Sequence, residues 1–538
     1  MSKARDLANA GTALTTVSAT ELGYVDGVTS AIQTQIDSKE ATLPSQTGNS
    51  GKYLTTDGSS KSWAAVTTLP SQTGNSGKYL TTDGTTASWG TITTDRTNSN
   101  WLRTYDYYSP NDASMETINN GIAKDSSGNI YTIGTIKYPV NNAWNMLLLN
   151  KYNSIGEELS SIIIYNTTWR FDPDYPKITI DSSGNIYLSG MIYDGTTYNG
   201  FVMKLSSTFT ITWAKHINSD TGGNGEYVAG VDVDSSGNVY YCGVVFTTKS
   251  VHMIGKLDSS GNSVWTRRIT ETNASGSYAS GIKLDSSGNV YVIGRAYRGT
   301  TNANDAVIVK YDSSGTLQWK TAALTTGTGT DWFFDLAVDS SGNSYAVGYG
   351  GSAQVGIIAK FDTSGTIQWS KSLSGLSNGA WYGVFLDSTS LYVVGQMGTL
   401  NSNQTNTATT ALAKYDTSGN LQWQRVLRNG TDGAYLYACT VSGSYLYASG
   451  RLKAKGAAKS ASVLRIKTDG TSSILDGSAF TVDGQKVLYQ TSTYTDAASP
   501  LTTVAWASGT DSALAPTFTS WTPSKENALG SSEIGYFN

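Results

Sequence analysis

The chain is poor in the residues that redox chemistry, metal binding and export usually need. Its 538 residues include two cysteines, two histidines and nine prolines. Cys242 and Cys439 are too far apart along the sequence to indicate a disulfide framework or a metal site, so no metal or other cofactor is expected. No apolar run is long enough for a membrane-spanning helix, and no membrane insertion is expected. The N-terminus lacks the apolar stretch of a signal peptide, which predicts a protein made in a cytoplasm and not exported by that route.

Charge is also scarce. Charged residues make up 14% of the chain, and the formal net charge is -4. Binding to nucleic acid requires clustered Lys and Arg that neutralise phosphates, so a nucleic-acid partner is not expected. The aromatic content of 14 Trp and 33 Tyr is at the same time too high for a disordered polar linker.

One ten-residue motif recurs along the chain. It reads DSSGNIYTIG from Asp125, and close copies begin at Asp181, Asp234, Asp285 and Asp339. Degenerate copies at 387–395 and 441–450 bring the number of repeats to seven, with spacings of 47 to 56 residues. The closing glycines of repeats 1 to 7 are Gly134, Gly190, Gly243, Gly294, Gly348, Gly395 and Gly450.

A second motif follows the first in most repeats, as in KYDSSGTLQW (310–319) and KFDTSGTIQW (360–369). Both motifs place turn residues between β-branched and aromatic flanks, which predicts two hairpins per repeat. Four strands in each of seven repeats favour a mainly β fold, a seven-bladed β-propeller, over a stacked β-solenoid. The paired motifs resemble the bacterial seven-bladed propeller repeat family across residues 101–475, and this resemblance implies little about function.

The last repeat lacks the tryptophan expected in its fourth strand. The segment NWLRTYDYY (100–108) looks like that missing strand, so Trp101 is predicted to complete the last blade and close the ring. The predicted domains are a helical anchor (1–42), two short β repeats (43–68 and 69–94), a linker (95–100), the propeller (101–475) and a small C-terminal β appendage (476–538).

The N-terminal region carries a different repeat. LPSQTGNSGKYLTTDG occurs identically at 43–58 and 69–84, a period of 26 residues. Upstream, a capping box at 18–21 precedes an apolar stripe that predicts a short oligomerising helix. The stripe consists of Val25, Val28, Ile32 and Ile36.

Residues 1–94 resemble the virion-proximal part of tail-fibre proteins of marine tailed phages, including cyanophages. The resemblance implies a homotrimeric structural protein of the virion that is bound to other tail or baseplate proteins through its N-terminus. It also implies a distal domain that recognises the host surface. The two short units indicate a stubby fibre or a tail-tip position.

An aromatic residue recurs just before the first strand of successive repeats. If that strand is innermost, these aromatics lie near the rim of a central channel, where they could bind sugar rings of host polysaccharide or lipopolysaccharide, assisted by Arg298 and Asp331. The alternative is that they pack between adjacent blades as part of the repeat core. The aromatics are Tyr175, Tyr227, Tyr278, Trp332, Trp381 and Tyr435.

Catalytic motifs are not visible. Each DSSGN turn offers one carboxylate, which favours a turn-stabilising aspartate over a calcium loop. A glycosidase needs only two carboxylates, and Glu226 and Asp331 are the available candidates, although solvated loop acids are the simpler interpretation. The sequence therefore predicts a non-enzymatic phage adhesin that binds host glycan. A virion-borne glycan depolymerase and a purely structural spacer remain alternatives.

Overall fold

The structure is a computed structural model that describes the chain in segments. They are residues 47–48, 52–56, 60–65, 78–82, 87–91, 100–106, 116–137, 146–166, 169–172, 176–219, 225–271, 276–297, 304–325, 329–374, 379–397, 409–429, 435–453 and 459–470, together with the C-terminal strands given below. The contacts divide the chain into two units, residues 1–94 and residues 95–538.

Every regular element of the described residues is a β-strand, which confirms the mainly β class. In that part of the chain no helix has the length and apolar character needed to cross a membrane. The predicted helical anchor (1–42) lies outside the described residues. Its stripe of Val25, Val28, Ile32 and Ile36 lies outside them as well.

The first unit contains two hairpins that follow the 26-residue repeat. Strands β1 (Lys52–Thr56) and β2 (Lys61–Ala65) pair antiparallel, as do β3 (Lys78–Thr82) and β4 (Ala87–Thr91). The registers are identical, with Leu54 opposite Trp63 and Leu80 opposite Trp89. The same sequence therefore gives the same hairpin twice.

The second unit begins with β5 (Asn100–Asp106) and continues through the repeats. Repeats 1 to 3 contain β6 (Glu116–Lys124), β7 (Ile130–Lys137), β8 (Met146–Tyr152), β9 (Glu158–Tyr165); β10 (Arg170–Phe171), β11 (Lys177–Ile180), β12 (Ile186–Tyr193), β13 (Tyr198–Leu205), β14 (Ile211–Ser219); β15 (Gly225–Val233), β16 (Val239–Phe246), β17 (Ser250–Leu257) and β18 (Ser263–Glu271). Repeats 4 and 5 contain β19 (Ser277–Leu284), β20 (Val290–Tyr297), β21 (Asn304–Tyr311), β22 (Leu317–Leu324); β23 (Trp332–Val338), β24 (Ser344–Gly350), β25 (Val355–Phe361) and β26 (Ile367–Ser374). Repeats 6 and 7 contain β27 (Ala380–Asp387), β28 (Ser390–Met397), β29 (Thr409–Asp416), β30 (Leu421–Asn429); β31 (Tyr435–Ser442), β32 (Tyr445–Lys453) and β33 (Lys459–Lys467).

Strands that are consecutive within a repeat pair antiparallel, as two hairpins per repeat predict, except that β10 and β11 of repeat 2 both pair with β12. Repeats 2 and 3 share one 11-stranded sheet because Tyr198 and Gly225 form a single parallel bridge between them. The last repeat supplies only three strands, and β5 pairs with β33 as its fourth, with Trp101 opposite Arg465. The predicted pairing of the Trp101 segment with the last repeat is therefore confirmed.

Residues 476–538 also join these sheets. Strand β35 and the six strands that follow it each pair antiparallel with the outermost strand of one repeat, in the order of repeats 6, 5, 4, 3, 2, 1 and 7. The segment expected to form an appendage thus adds one outer strand to every repeat. Its strands are β34 (Ala479–Val482), β35 (Gln485–Thr491), β36 (Thr495–Ala498), β37 (Thr502–Ala505), β38 (Gly509–Ala513), β39 (Pro516–Ser520), β40 (Ser524–Asn527) and β41 (Ser531–Phe537).

The repeated aspartate shapes the first hairpin of a repeat. In repeat 3, Asp234 Oδ1 accepts hydrogen bonds from the backbone N–H groups of Ser236 and Asn238, at 2.9 Å each. Its other oxygen accepts a bond from the Asn238 amide at 2.8 Å, and Gly237 takes the left-handed φ of 78°. Both carboxylate oxygens thus accept hydrogen bonds within the turn, as the turn-stabilising interpretation predicted.

The repeated tryptophan joins neighbouring repeats. In repeat 4, Trp319 donates from Nε1 to the carbonyl of Thr363 in repeat 5 at 2.8 Å. Its ring covers Gly365, where a Cβ atom would lie 2.7 Å from the indole and where φ is 81°. The motif therefore needs glycine at this turn for two reasons, its left-handed backbone and the indole packed against it. Trp213, Trp265, Trp369 and Trp423 contact the next repeat in the same way.

Candidate functional site

Two cavities lie among the first strands of the repeats. The larger, called the central cavity, has a volume of about 400 Å³ and is lined by residues from β11 of repeat 2 and from the first strand of each other repeat. The smaller, called the aromatic cavity, has a volume of about 210 Å³. Its lining consists of Ile118, Asn120, Lys177, Tyr227, Ala229, Ala279, Ser280, Trp332, Phe334, Tyr382, Tyr437 and Arg451.

A β-bulge places one residue of each of six repeats into the aromatic cavity. The ladder between first and second strand shifts register beside the closing glycine, for example between Phe333 and Asp335, and the residue in between is left unpaired. Bulges re-aim side chains, and all six skipped residues line the aromatic cavity. They are Asn120, Ala229, Ser280, Phe334, Tyr382 and Tyr437.

The closing glycine makes room for this bulge. A Cβ atom on Gly348 would lie 1.8 Å from the carbonyl oxygen of Trp332, and one on Gly294 would lie 1.8 Å from that of Tyr278. Only a residue without a side chain permits this approach of the two strands. The glycine that marks each repeat in the sequence therefore also shapes the cavity wall.

Aromatic rings form a continuous arc around the cavity. Neighbouring rings lie within van der Waals reach of each other, with centroids separated by 4.8 Å for Trp332 and Phe334, 5.2 Å for Phe334 and Tyr382, and 5.5 Å for Tyr382 and Tyr437. On one side the arc continues from Trp332 to Tyr278, with centroids 6.4 Å apart, and from Tyr278 to Phe246, with centroids 6.5 Å apart. These rings are only partly buried, whereas Tyr227, which contacts Phe246, is buried. Partly exposed aromatic faces around a cavity can contact an apolar ring face of a ligand.

Two arginines are fixed against this arc. The guanidinium of Arg295 lies 4.5 Å from the ring centre of Tyr278 and 3.9 Å from that of Trp332. Arg451 lies 4.3 Å from Tyr435. Trp332 also donates a 2.6 Å hydrogen bond to Ser280 Oγ, which fixes the indole against which Arg295 lies.

Lys177 connects the two cavities because it lines both. Burial lowers the pKa of its ammonium group, and the charge of Asp335 partly opposes that effect. Asp335 accepts hydrogen bonds from the N–H groups of Leu336 and Val384, both at 2.9 Å, while burial raises its pKa. Lys283, which also lines the central cavity, lies 3.9 Å from Asp232, whose charge raises the pKa of Lys283.

The structure brings some of the predicted aromatics together. Tyr227 and Trp332 line the aromatic cavity. Tyr278 contacts Trp332, and Tyr435 stacks with Tyr437 at 6.2 Å, so both belong to the arc without lining the cavity. Tyr175 and Arg298 lie outside the described residues.

Trp381 and Asp331 differ from the prediction. Trp381 is 1% exposed and packs in a core cluster with Val384 and Ile358, because it lies opposite Gly395, one position later in register than Tyr227, Tyr278 and Trp332. Side chains alternate along a strand, so a shift of one residue turns this indole into the core. Asp331 is also 1% exposed.

Sequence reasoning missed Phe334, Tyr382, Tyr437, Arg451 and Lys177. The first three follow one of the predicted aromatics by one or two residues along the chain, and only the bulge turns them into the cavity. The signal that could have identified them is a second aromatic shortly after the first, as in WFF (332–334), AWY (380–382) and YLY (435–437).

The acids considered for catalysis, Glu226 and Asp331, and the histidine His252 are buried. Asp331 accepts hydrogen bonds from Thr325 N, Thr325 Oγ1 and Gly351 N at 2.9, 2.7 and 2.8 Å. Glu226 is 2% exposed. His252 is fully buried, which lowers its pKa to about 4. Within the described residues no cluster of His, Cys, Asp or Glu could hold a metal ion.

Comparison with known proteins leaves the family open. No family model and no curated protein matches the chain. Similar solved structures include a protein of unknown function from Dyadobacter fermentans, 10% identical, covering 68% of this chain and 97% of that one with a TM-score of 0.35. Others are the Pan2 WD40 domain of Neurospora crassa (10% identity, 54% and 89% coverage, TM-score 0.32) and a GH43_12 protein from a capybara gut metagenome (11%, 73% and 98%, 0.25). Similarity at this level assigns no substrate or activity.

Proposed function

We propose that the protein is a non-enzymatic virion component, a tail fibre or tail-tip adhesin of a marine tailed phage, that attaches the virion to glycan on the host surface. The observation that carries the binding proposal is the arc of partly exposed aromatic rings around the aromatic cavity. Such rings combine apolar faces with polar edges, the combination that a sugar ring requires. The assignment to a virion rests on the resemblance of residues 1–94 to phage tail fibres.

We propose further that the repeats form a closed seven-bladed propeller. Strands β35 to β41 each pair with a different one of the seven repeats, and only two or three residues separate each strand from the next. So short a link spans no more than about 14 Å, which requires consecutive repeats to be neighbours. The link between β40 and β41 joins repeat 1 to repeat 7, and Ser442 Oγ also donates to the carbonyl of Gly128 at 3.2 Å.

Replacing Trp332 or Tyr382 with Ala is expected to weaken binding to purified host-envelope polysaccharide by about tenfold or more, since stacking of a buried aromatic face contributes on the order of 1 kcal/mol and its area burial adds to this. Binding is measured with surface-immobilised polysaccharide. Tyr193→Ala is the control, because Tyr193 is a partly exposed aromatic that does not line the aromatic cavity.

Unchanged binding in both cavity variants would contradict the aromatic-cavity proposal. If the unmodified protein binds no polysaccharide, the spacer role becomes the better account. Release of reducing sugar from the polysaccharide would instead support a depolymerase.

The full chain is expected to be a homotrimer held together by residues 1–42, whose stripe of Val25, Val28, Ile32 and Ile36 would be buried between copies. Light scattering should then give three times 57.1 kDa for the full chain and a monomer mass for residues 94–538. Three linked copies would strengthen weak sugar binding by avidity. A monomeric full chain would contradict trimerisation by this segment alone.

A further inference from the structure

The lining of the aromatic cavity is charged with one sign only. Its twelve residues include two cations, Lys177 and Arg451, and no Asp or Glu. Two acids near the central cavity already have partners: Asp335 accepts two backbone hydrogen bonds, and Asp232 lies 3.9 Å from Lys283. A cavity with low-dielectric aromatic walls whose lining holds two cations and no acid attracts an anion.

Arg451 is held in place by aromatic rings. It lies directly across the ladder from Tyr435, and its guanidinium is 4.3 Å from that ring and 5.8 Å from the ring of Tyr437. It forms no ion pair with a carboxylate among the described residues, and its buried Nε has no hydrogen-bond acceptor there. Stacking therefore fixes the guanidinium plane and leaves N–H donors for an anionic ligand.

Lys177 occupies the boundary with the central cavity. Burial destabilises its ammonium and lowers its pKa, and Asp335 on the central-cavity side compensates only in part. An anion in the aromatic cavity would supply the missing compensation from the other side. Tyr382 donates from its hydroxyl to Gln396 Oε1 at 3.5 Å, and burial raises its pKa to about 12, so the group is uncharged at neutral pH.

The volume of the aromatic cavity limits the size of the ligand. At about 210 Å³ it is smaller than the roughly 300–1,000 Å³ of sites for drug-sized molecules. It can therefore take one ring-sized group of a longer chain. Trp332, Phe334 and Tyr382 supply aromatic lining for that ring, while Lys177 and Arg451 supply positive charge.

We propose that the aromatic cavity selects a sugar residue that carries a carboxylate, a uronic-acid type of unit, with Lys177 and Arg451 as its ionic contacts. The proposal rests on the proposed glycan-binding function and names the class of sugar that the same cavity takes. Guanidinium binds carboxylate and phosphate alike through two parallel hydrogen bonds, so the net charge of the site decides between them. Because Asp335 already compensates part of the Lys177 charge, the remaining positive charge matches one carboxylate better than a phosphate dianion.

The test measures binding of small probes to the full chain by calorimetry at low salt. Methyl glucuronide is expected to bind at least about tenfold more tightly than methyl glucoside, because a charge-assisted hydrogen bond is worth roughly 1.5–3 kcal/mol. That preference is expected to shrink as salt is raised from 20 mM to 500 mM, to about a third or less. Lys177→Met and Arg451→Met should each reduce this preference for glucuronide to about threefold or less.

Lys310→Met is the matched control. Lys310 also lies over an aromatic ring, 4.9 Å from the centre of Tyr291, but it does not line either cavity, so its loss should leave the preference intact. Thermal melting establishes that each variant is folded, and the salt dependence of the unmodified protein tests the proposal without any variant.

The outcomes separate this proposal from the function on which it rests. Equal binding of glucuronide and glucoside overturns the acidic-sugar proposal but keeps sugar binding. Tighter binding of glucose 6-phosphate than of glucuronide overturns the choice of carboxylate. If the protein binds neither these probes nor host polysaccharide, the proposed glycan-binding function itself fails.

Discussion

Deletion of residues 476–538 is expected to lower the free energy of unfolding by on the order of 5 kcal/mol or more and to cause association of the chains. Seven strands of this segment each form four to seven residue pairs with the outermost strand of a repeat. Their loss exposes seven sheet edges at once, and an exposed edge can pair with another chain. Denaturant unfolding and analytical ultracentrifugation provide the measurements.

Deletion of residues 1–94 is the control for this experiment, because these residues form a separate unit. That chain should unfold at the same denaturant concentration as residues 95–538 of the full protein. A deletion of 476–538 that leaves stability and mass unchanged would show that the repeats do not depend on their outer strands.

A finer test uses proline in β37, which pairs with β22. Consecutive N–H groups of a strand point in opposite directions, so of Thr503 and Val504 only one donates to β22. Thr503→Pro and Val504→Pro are therefore each other's controls, and only one of them should be strongly destabilising. Equal effects would indicate that the pairing itself is not what proline disrupts.

Gly294→Ala is expected to destabilise the protein by about 4 kcal/mol or more, an unusually large effect for one methyl group. The added Cβ would lie 1.8 Å from the carbonyl oxygen of Tyr278, and the contacting atom is backbone, which cannot rotate away. The first strand of repeat 4 would have to move, and the bulge that directs Ser280 into the aromatic cavity would move with it. Urea unfolding measures the stability change.

Gly281→Ala provides the comparison within the same sheet. Its Cβ would lie 3.3 Å from Ile293 Cγ1, a side-chain atom that can shift slightly, so the cost should stay below about 1.5 kcal/mol. Similar costs at the two glycines would contradict the backbone-approach explanation. A further consequence is that Gly294→Ala should weaken sugar binding, since Ser280 anchors the Trp332 indole.

The repeat motif makes most of the local structure predictable from the sequence. Asp, Gly and Asn at fixed positions determine the turn because their hydrogen bonds and backbone preferences act within five residues, as Asp234 and Gly237 show. Identical 26-residue segments likewise give identical hairpins. The missing tryptophan of the last repeat was enough to identify Trp101 as part of its fourth strand.

The site was only partly predictable because it depends on register. Tyr227 and Trp332 were found from their recurrence, yet Trp381 occupies a similar sequence position and is core. The bulge leaves one residue of the first strand unpaired, which is Phe334 in repeat 5 and Tyr382 in repeat 6. Which residue is left unpaired depends on the register of its neighbours with the second strand, and the sequence does not give that register. Arg451 and Lys177 come from strands of different repeats, and no spacing in the sequence predicts that they line the same cavity.

The sequence by itself determined the strands, the turns, the seven repeats and the boundary near residue 94, because each follows from interactions between residues close along the chain. The tertiary structure alone decided where residues 476–538 go and which side chains share the aromatic cavity. Those outcomes depend on contacts between residues hundreds of positions apart, such as Tyr536 opposite Trp101 and Lys177 in one cavity with Arg451. Backbone pairing of an outer strand requires no particular side chain, so it leaves little trace in the sequence.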